Sequence, residues 1–158
     1  MSANRASRSE TPICSRRPVC SNLPVFSPSP SRLWSLAGQV AEKLHAYTRV
    51  YEGDRTSSRT KDLIDLALIT HLFSLDAGAL RAAIKAVFDN RGTHRLPQDL
   101  PLPPQEWRLP YRHLADEVGL DPDLDEGHRA AASMIDPILC GDVTTGTWRP
   151  DPQRWRTD

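Results

Sequence analysis

Apolar residues recur at helical spacing near the start of the chain. They follow steps of four, three, four and three residues, at Leu33, Ala37, Val40, Leu44 and Tyr47. This spacing places all five side chains on one face of a helix of about four turns. The pattern therefore predicts a first helix with one face directed at a core.

A second helix is predicted after a polar loop that spans residues 51–58. Ser57 and Ser58 end this loop and are suitable N-cap residues. The apolar residues that follow occupy nearly every side of the helix, which predicts that the rest of the domain encloses it. They are Leu63, Ile64, Leu66, Ala67, Leu68, Ile69, Leu72 and Phe73.

Three further helices are predicted downstream. The first runs from Ala79 to Phe88 and is ended by the sequence Asn-Arg-Gly at residues 90–92. The next covers about residues 104–118, and Pro110 within it is expected to kink or interrupt it. The last covers about residues 124–139 and begins after a run of acidic residues, which favour a helix N-terminus.

The C-terminal segment is rich in prolines and carries two tryptophans, Trp148 and Trp155. We expect it to be extended and to pack its indoles on the helices. Cys140, which follows Ile138 and Leu139, is expected to be a small core residue. The predicted fold class is mainly α, a bundle of about five helices.

Composition divides the chain into two parts. Residues 1–32 are rich in Ser, Pro and Arg and are expected to form a disordered leader, while residues 33–158 form the helical domain. The leader is either an anion-attracting arm or a segment without a role. Its basic residues leave a net charge of −4 on residues 34–158, so the body has no overall basic surface for nucleic acid.

Several classes of protein are disfavoured by the remaining composition. The chain has no apolar run of signal-peptide or membrane-spanning length. Its three cysteines, Cys14, Cys20 and Cys140, are odd in number and lack metal-ligand spacing, which disfavours a disulfide scaffold or a zinc knuckle and suits a reducing cytoplasm.

Charged residues accompany the apolar faces of the first two helices. Lys43 lies beside the apolar stripe of the first helix, where it either covers the core with its methylene stem or meets a ligand anion. The second helix opens with Arg59, Lys61, Asp62 and Asp65. These four form either ordinary helix pairs at spacings of three and four residues, or a functional cluster leading an otherwise apolar helix.

Four other residues have both a structural and a functional interpretation. His45 points to a different helix face from Lys43 and is a weak candidate for a phosphate contact. Arg91 and His94 either contact an RNA backbone or form ordinary loop surface. Trp107 is either a core residue or a platform on which a base stacks.

These charges lie in two motifs that resemble those of the AbiEii/AbiGii nucleotidyltransferase toxins. The family pattern R-x-K-D-x-x-D is matched by Arg59, Lys61, Asp62 and Asp65. The pattern K-x-x-A-x-x-x-R is matched at Lys43 and at its alanine, but Val50 stands where the family has arginine. Later segments extend the resemblance over roughly residues 36–155.

The resemblance implies a nucleotidyltransferase-fold toxin, paired with a cognate antitoxin, that transfers a nucleotide from an NTP to an acceptor such as tRNA with Mg²⁺ or Mn²⁺. In that family the lysine matching Lys43 is expected to meet the triphosphate, and the aspartate matching Asp62 to be essential. Arg59, Lys61 and Asp65 are expected to support them as nucleotide-binding charges.

The carboxylates that would bind the metal are not found in the expected place. No aspartate precedes Lys43, and the one glycine before it is Gly38, inside the first helix. We therefore expect the chain to correspond to the C-terminal helical half of such an enzyme, truncated and inactive alone. The alternative is a non-catalytic helical module that binds an antitoxin or a separate catalytic half.

Overall fold

The computed structural model describes residues 35–49 and 56–157, and the predicted leader lies outside them. Most of the described residues are helical, which confirms the predicted fold class. The helices are α1 (Leu36–Thr48), α2 (Thr56–Leu72), α3 (Ala77–Arg91), α4 (Arg108–Val118) and α5 (Leu124–Leu139). The strands are β1 (Leu75–Asp76), β2 (Thr147–Arg149) and β3 (Arg154–Arg156), and a 3₁₀ turn covers Gln105–Trp107.

The first helix forms as its apolar spacing predicts. Ser35 caps α1 by accepting a hydrogen bond from the Gly38 amide at 3.1 Å. The apolar stripe from Ala37 to Tyr47 is buried against α2 and α3, while Leu33 lies outside the described residues. The first helix thus holds the charged side chains that flank its stripe close to its two neighbours.

The second helix is central to the fold, because it packs against α1, α4 and α5. Its middle turns are buried nearly all round, from Leu63 to Ile69. Its last turn departs from the prediction, since Leu72 and Phe73 are exposed. The helix ends at Leu72, and two exposed residues follow before Leu75 of β1 returns to the core.

The third helix is longer than predicted at both ends. Asp76 caps its N-terminus by accepting a hydrogen bond from the Ala79 amide at 2.7 Å. Gly92 ends it in the left-handed conformation, with φ of 54°, as expected for a helix C-terminus. The Asp76 cap explains why α3 begins two residues before its predicted start.

Two predictions for the fourth and fifth helices are wrong in detail. Pro110 does not kink α4, because it is the third residue of this helix, where an amide has no intrahelical partner. Cys140 is exposed rather than buried. It follows Ile138 by two positions, or about 200° around the helix, and so faces away from the core.

The C-terminal segment packs both indoles on the helices, as predicted. The Trp148 indole N–H donates to the Thr70 carbonyl at 2.9 Å, and the Trp155 indole N–H donates to the Met134 carbonyl at 3.0 Å. The segment is also a hairpin, in which β2 pairs antiparallel with both β1 and β3. This sheet was not predicted, because its strands are only two or three residues long.

Candidate functional site

Lys43 and the acidic residues of α2 meet where the first two helices pack together. The Lys43 ammonium lies 2.5 Å from a carboxylate oxygen of Asp65 and 3.8 Å from one of Asp62. The two aspartates are three residues apart and therefore share one face of α2. The structure thus joins the two charged motifs through contacts between different helices.

This cluster is partly withdrawn from solvent. The side chains of Lys43, Asp62 and Asp65 retain 29%, 19% and 27% of their full exposure. A ligand can therefore reach the ammonium, while the surrounding helices keep part of the water away. Partial burial strengthens each charge interaction relative to a fully exposed ion pair.

Asp62 differs from a surface carboxylate in its electrostatics. Burial raises the pKa of Asp62, and the negative charge of Asp65 raises it further. Lys43 and Arg59 act in the opposite direction, but they do not cancel the effect of burial. Two acids are thus held around one lysine although the fold disfavours the ionisation of Asp62.

The remaining motif residues occupy different environments. Arg59 is half-buried and its positive charge acts on Asp62. Lys61 is exposed, and Asp65 contacts Lys43 on the neighbouring helix rather than Lys61 on its own. The helix pair between Lys61 and Asp65, one of the two interpretations of these charges, is therefore not formed.

A groove of about 840 Å³ opens beside Lys43, between α1 and α3. The α3 side of the groove is formed largely by small side chains. The α1 side carries Glu42, which forms an ion pair with Arg91 at 2.5 Å. The lining residues are Ser35, Ala37, Gly38, Gln39, Glu42, Lys43, Ala79, Ala82, Ala83, Ala86, Val87 and Asn90.

The histidines singled out in the sequence are engaged in contacts within the protein. His45 is buried, with 2% exposure, and its Nε2 lies 2.9 Å from the Thr93 hydroxyl. The ring of His94 lies against that of His45, with centroids 4.6 Å apart, and its Nε2 lies 2.8 Å from the Thr48 hydroxyl. Burial lowers the pKa of both histidines.

Trp107 belongs to the core. Its side chain is buried, and its ring meets that of Tyr47 edge to face at 5.7 Å. In this conformation it offers no face on which a base could stack. Of the two interpretations of this residue, the structure supports the core residue.

Two groups of charged residues were missed in the sequence. Glu42 and Arg91 are 49 positions apart, so no local pattern indicates their ion pair. The exposed arginines of the hairpin, Arg149, Arg154 and Arg156, were also missed. Their signal was the alternation of Arg and Trp in Arg154-Trp155-Arg156, which is typical of a strand with one buried face.

The described residues do not by themselves fit a divalent cation. Within them, no three His, Cys, Asp or Glu side chains converge in a way that could hold a metal ion. Asp62 and Asp65 supply two carboxylates, but the Lys43 ammonium lies between them in the position that a cation would take. These three residues form an ion-pair centre in which two carboxylates surround one ammonium.

The fold and this centre define a mainly helical domain with a lysine and two aspartates at the junction of two helices. The family model described as nucleotidyl transferase AbiEii toxin, type IV TA system, matches residues 7–138. The chain therefore belongs to the AbiEii family of nucleotidyltransferase toxins, which implies a cognate antitoxin. No curated protein and no solved structure matches the chain.

The matched region differs in extent from the resemblance seen in the sequence. It begins at residue 7 rather than near residue 36 and therefore includes most of the expected leader. It ends at residue 138, before the hairpin. In the described part of the chain, no helix combines the length and apolar character needed to cross a membrane.

Proposed function

We propose that this chain takes part in nucleotide transfer from an NTP to an RNA acceptor such as tRNA. Lys43 contacts the triphosphate, Asp62 is the essential acid, and Arg59, Lys61 and Asp65 are supporting charges. The proposal rests on the contact of the Lys43 ammonium with Asp62 and Asp65 in a half-buried site. Membership of the AbiEii family supports the reaction class.

The chemistry of nucleotidyl transfer fits these charges. An acceptor hydroxyl attacks the α-phosphorus, the bond from that phosphorus to the bridging oxygen breaks, pyrophosphate leaves, and the hydroxyl proton passes to a carboxylate, for which Asp62 is the candidate. Such reactions depend mainly on positioning and on neutralising negative charge, which a lysine ammonium can do. The raised pKa of Asp62 makes it a better proton acceptor than an ordinary surface aspartate.

We infer that the 158-residue chain does not transfer nucleotides unaided. The family reaction is expected to use Mg²⁺ or Mn²⁺, and the sequence has no aspartate before Lys43. In this proposal residues 33–158 form the helical half of the site, and the metal-binding carboxylates are supplied by another polypeptide segment. This chain then contributes the lysine, the essential acid and the supporting charges.

The groove beside Lys43 favours a second candidate function, that of a helical interaction module. Its apolar α3 side is suited to burial against an antitoxin or a separate catalytic half. In that case Lys43, Asp62 and Asp65 serve only as paired charges between α1 and α2. Nucleotide binding separates the two candidates.

The proposed function predicts nucleotide binding that depends on Lys43. Photo-cross-linking of the full chain with labelled 8-azido-ATP should label the wild type and fall at least tenfold in Lys43→Gln. Lys85→Gln is the matched control, because Lys85 is an exposed lysine that pairs with Asp89 on α3. Equal labelling of both variants would contradict the role of Lys43 and favour the interaction module.

A transfer assay tests the proposed inactivity separately. The chain is incubated with labelled NTPs, Mg²⁺ or Mn²⁺, and bulk tRNA, and no label is expected in the RNA. Clear labelling that Lys43→Gln abolishes would show that the chain contains a complete active site.

A further inference from the structure

The C-terminal hairpin carries a face composed of arginines. Side chains alternate between the two faces of a strand, so Trp148 and Trp155, which are paired across the hairpin, share the inner face. The outward positions are Thr147, Arg149, Arg154 and Arg156. Arg149 lies directly opposite Arg154, and all three arginines are exposed.

These three charges are not neutralised within the part of the chain that the structure describes. None of the three guanidinium groups has an acidic side chain of the described residues within 4.0 Å. Asp76, the outward residue of the neighbouring strand β1, instead caps α3 through the Ala79 amide. The arginine face therefore keeps its positive charge.

Half of the six other exposed arginines in the described part of the chain are neutralised, and the other half, Arg81, Arg95 and Arg112, are single charges on α3, a loop and α4. Arg91, Arg108 and Arg129 each pair with an acidic side chain. Acidic residues also outnumber basic ones in residues 34–158, by nineteen to fifteen. Like charges directly opposite each other destabilise a strand pair, so the hairpin retains an arrangement that costs stability.

The hairpin holds these arginines on a fixed base. Trp148 is fully buried and bonded to the carbonyl of Thr70 in α2, and Trp155 is bonded to that of Met134 in α5. The two indoles also meet edge to face, with centroids 5.6 Å apart. Because the inner face is anchored in this way, the outer face presents its charges at fixed spacing.

We propose that the arginine face, formed by Arg149, Arg154 and Arg156, binds the phosphodiester backbone of RNA. A guanidinium group donates two parallel hydrogen bonds to phosphate oxygens, and the Thr147 hydroxyl can add another. The face has no apolar or aromatic residue, whereas protein interfaces usually centre on such residues. Interfaces with nucleic acid are more polar and more positively charged.

The choice of RNA over DNA rests on the proposed function, but the site is separate from Lys43. Binding is measured by fluorescence anisotropy with labelled bulk tRNA, without nucleotide, over a range of KCl concentrations. For Arg149→Gln/Arg154→Gln/Arg156→Gln, the affinity at low salt should fall at least tenfold. In a plot of the logarithm of the association constant against the logarithm of the KCl concentration, the slope should become shallower by about 2 to 3, since each phosphate contact contributes roughly 0.7 to 0.9.

The matched control is Arg81→Gln/Arg95→Gln/Arg112→Gln, which removes the same charge from exposed positions on α3, a loop and α4. It should change the slope by less than about 1. Equal effects of the two triple variants would overturn the proposal. The proposal would also be overturned if the wild-type chain did not bind tRNA but bound polyglutamate, a result that would indicate an acidic protein partner.

Folding is checked on the same samples by thermal unfolding. The triple hairpin variant should melt no lower than the wild type, because repulsion between Arg149 and Arg154 is removed. If it does not fold, the single variant Arg154→Gln is used instead, and an unchanged salt dependence of tRNA binding in that variant contradicts the proposal. The tRNA titration contains no nucleotide and the cross-linking experiment contains no tRNA, so that failure of the nucleotide site and failure of this face are separate results.

Discussion

Asp62 is the residue at which stability and function are expected to diverge. Its pKa is raised by burial and by Asp65, so its ionised form costs folding free energy near neutral pH. We expect Asp62→Asn to keep or slightly increase the free energy of unfolding at pH 7, measured in urea. In the proposed function the same variant removes the carboxylate that nucleotide transfer requires, but it should keep the nucleotide cross-linking attributed to Lys43, because the ammonium stays in place and a neighbouring negative charge is removed.

The pH dependence of this effect has a definite sign. A carboxyl group with a raised pKa costs no stability while it is protonated, and the cost appears as pH rises through its folded-state pKa. The difference between wild type and Asp62→Asn should therefore shrink as the pH falls from 7 to about 4. A destabilised Asp62→Asn protein at pH 7 would mean that this carboxylate mainly holds the two helices together.

The packing of α5 against α4 requires glycine at position 127. A Cβ at this position of α5 would overlap the hydroxyl and ring of Tyr111, which is fully buried in α4. Replacing glycine by alanine within a helix normally adds about 0.5 to 1 kcal/mol of stability. Here Gly127→Ala should instead cost about 1 to 3 kcal/mol, because the site becomes overpacked.

A double-mutant cycle tests this explanation. In a Tyr111→Ala background the overlap is gone, so Gly127→Ala should cost little or should stabilise the protein. Both comparisons use urea unfolding at pH 7. The explanation is wrong if Gly127→Ala costs the same in both backgrounds.

A hydrogen-bond network joins α1 to the loop that follows α3. The Thr48 hydroxyl donates to the Leu44 carbonyl and so accepts from Nε2 of His94. The other ring nitrogen of His94 then accepts from the Thr93 hydroxyl, which in turn accepts from Nε2 of His45. In this donor assignment His94 is neutral, because one of its ring nitrogens donates and the other accepts.

Acidification should break this network. Burial lowers the pKa of His45, as do the charges of His94, Arg91 and Arg49, while Glu42 opposes them; burial and Arg49 lower the pKa of His94. The unfolded chain therefore binds more protons, and stability is lost as pH falls below about 6.5. The free energy of unfolding should decrease between pH 7.5 and 5.5, by at most about 1.4 kcal/mol per pH unit for each histidine.

The control is a histidine outside the network. His45→Gln/His94→Gln should flatten the pH dependence over this range, whereas His113→Gln, at an exposed position of α4, should leave it unchanged. Urea unfolding at several pH values gives both slopes. A wild-type profile as flat as that of the double variant would contradict the prediction.

The helices could be predicted from sequence because their signals are local. Apolar spacing located α1 and α5, and Gly92 marked the end of α3. The sheet could not be predicted, since β1 is only Leu75–Asp76 and is defined by a partner more than seventy residues away. The exposure of Leu72 and Phe73 was missed for a similar reason, because it depends on where the chain leaves α2.

For the whole molecule, the sequence indicated which charges belong to the site but not how they pair. Motif spacing singled out Lys43, Asp62 and Asp65, whereas their contact is set by the packing of α1 on α2. Spacing along a single helix suggested pairs within α2 instead. Contacts between helices that are far apart in the sequence, such as the ion pair of Glu42 with Arg91, leave no periodic signal in a single sequence.

The C-terminal hairpin is joined to the helices through Trp148, which makes this residue a test of how the hairpin contributes to the fold. Its indole is fully buried and bonded to α2, and its strand pairs with both β1 and β3. Trp148→Ala should cost about 3 to 5 kcal/mol, a large part of the roughly 5 to 15 kcal/mol that stabilises a domain. Trp155→Ala is the matched control and should cost less in urea unfolding, because Trp155 is only half-buried. Equal costs would contradict the larger role of Trp148. A cost below about 1 kcal/mol for Trp148→Ala would mean that the hairpin is only loosely attached to the helices, and its arginine face would then lack the fixed base on which RNA binding depends.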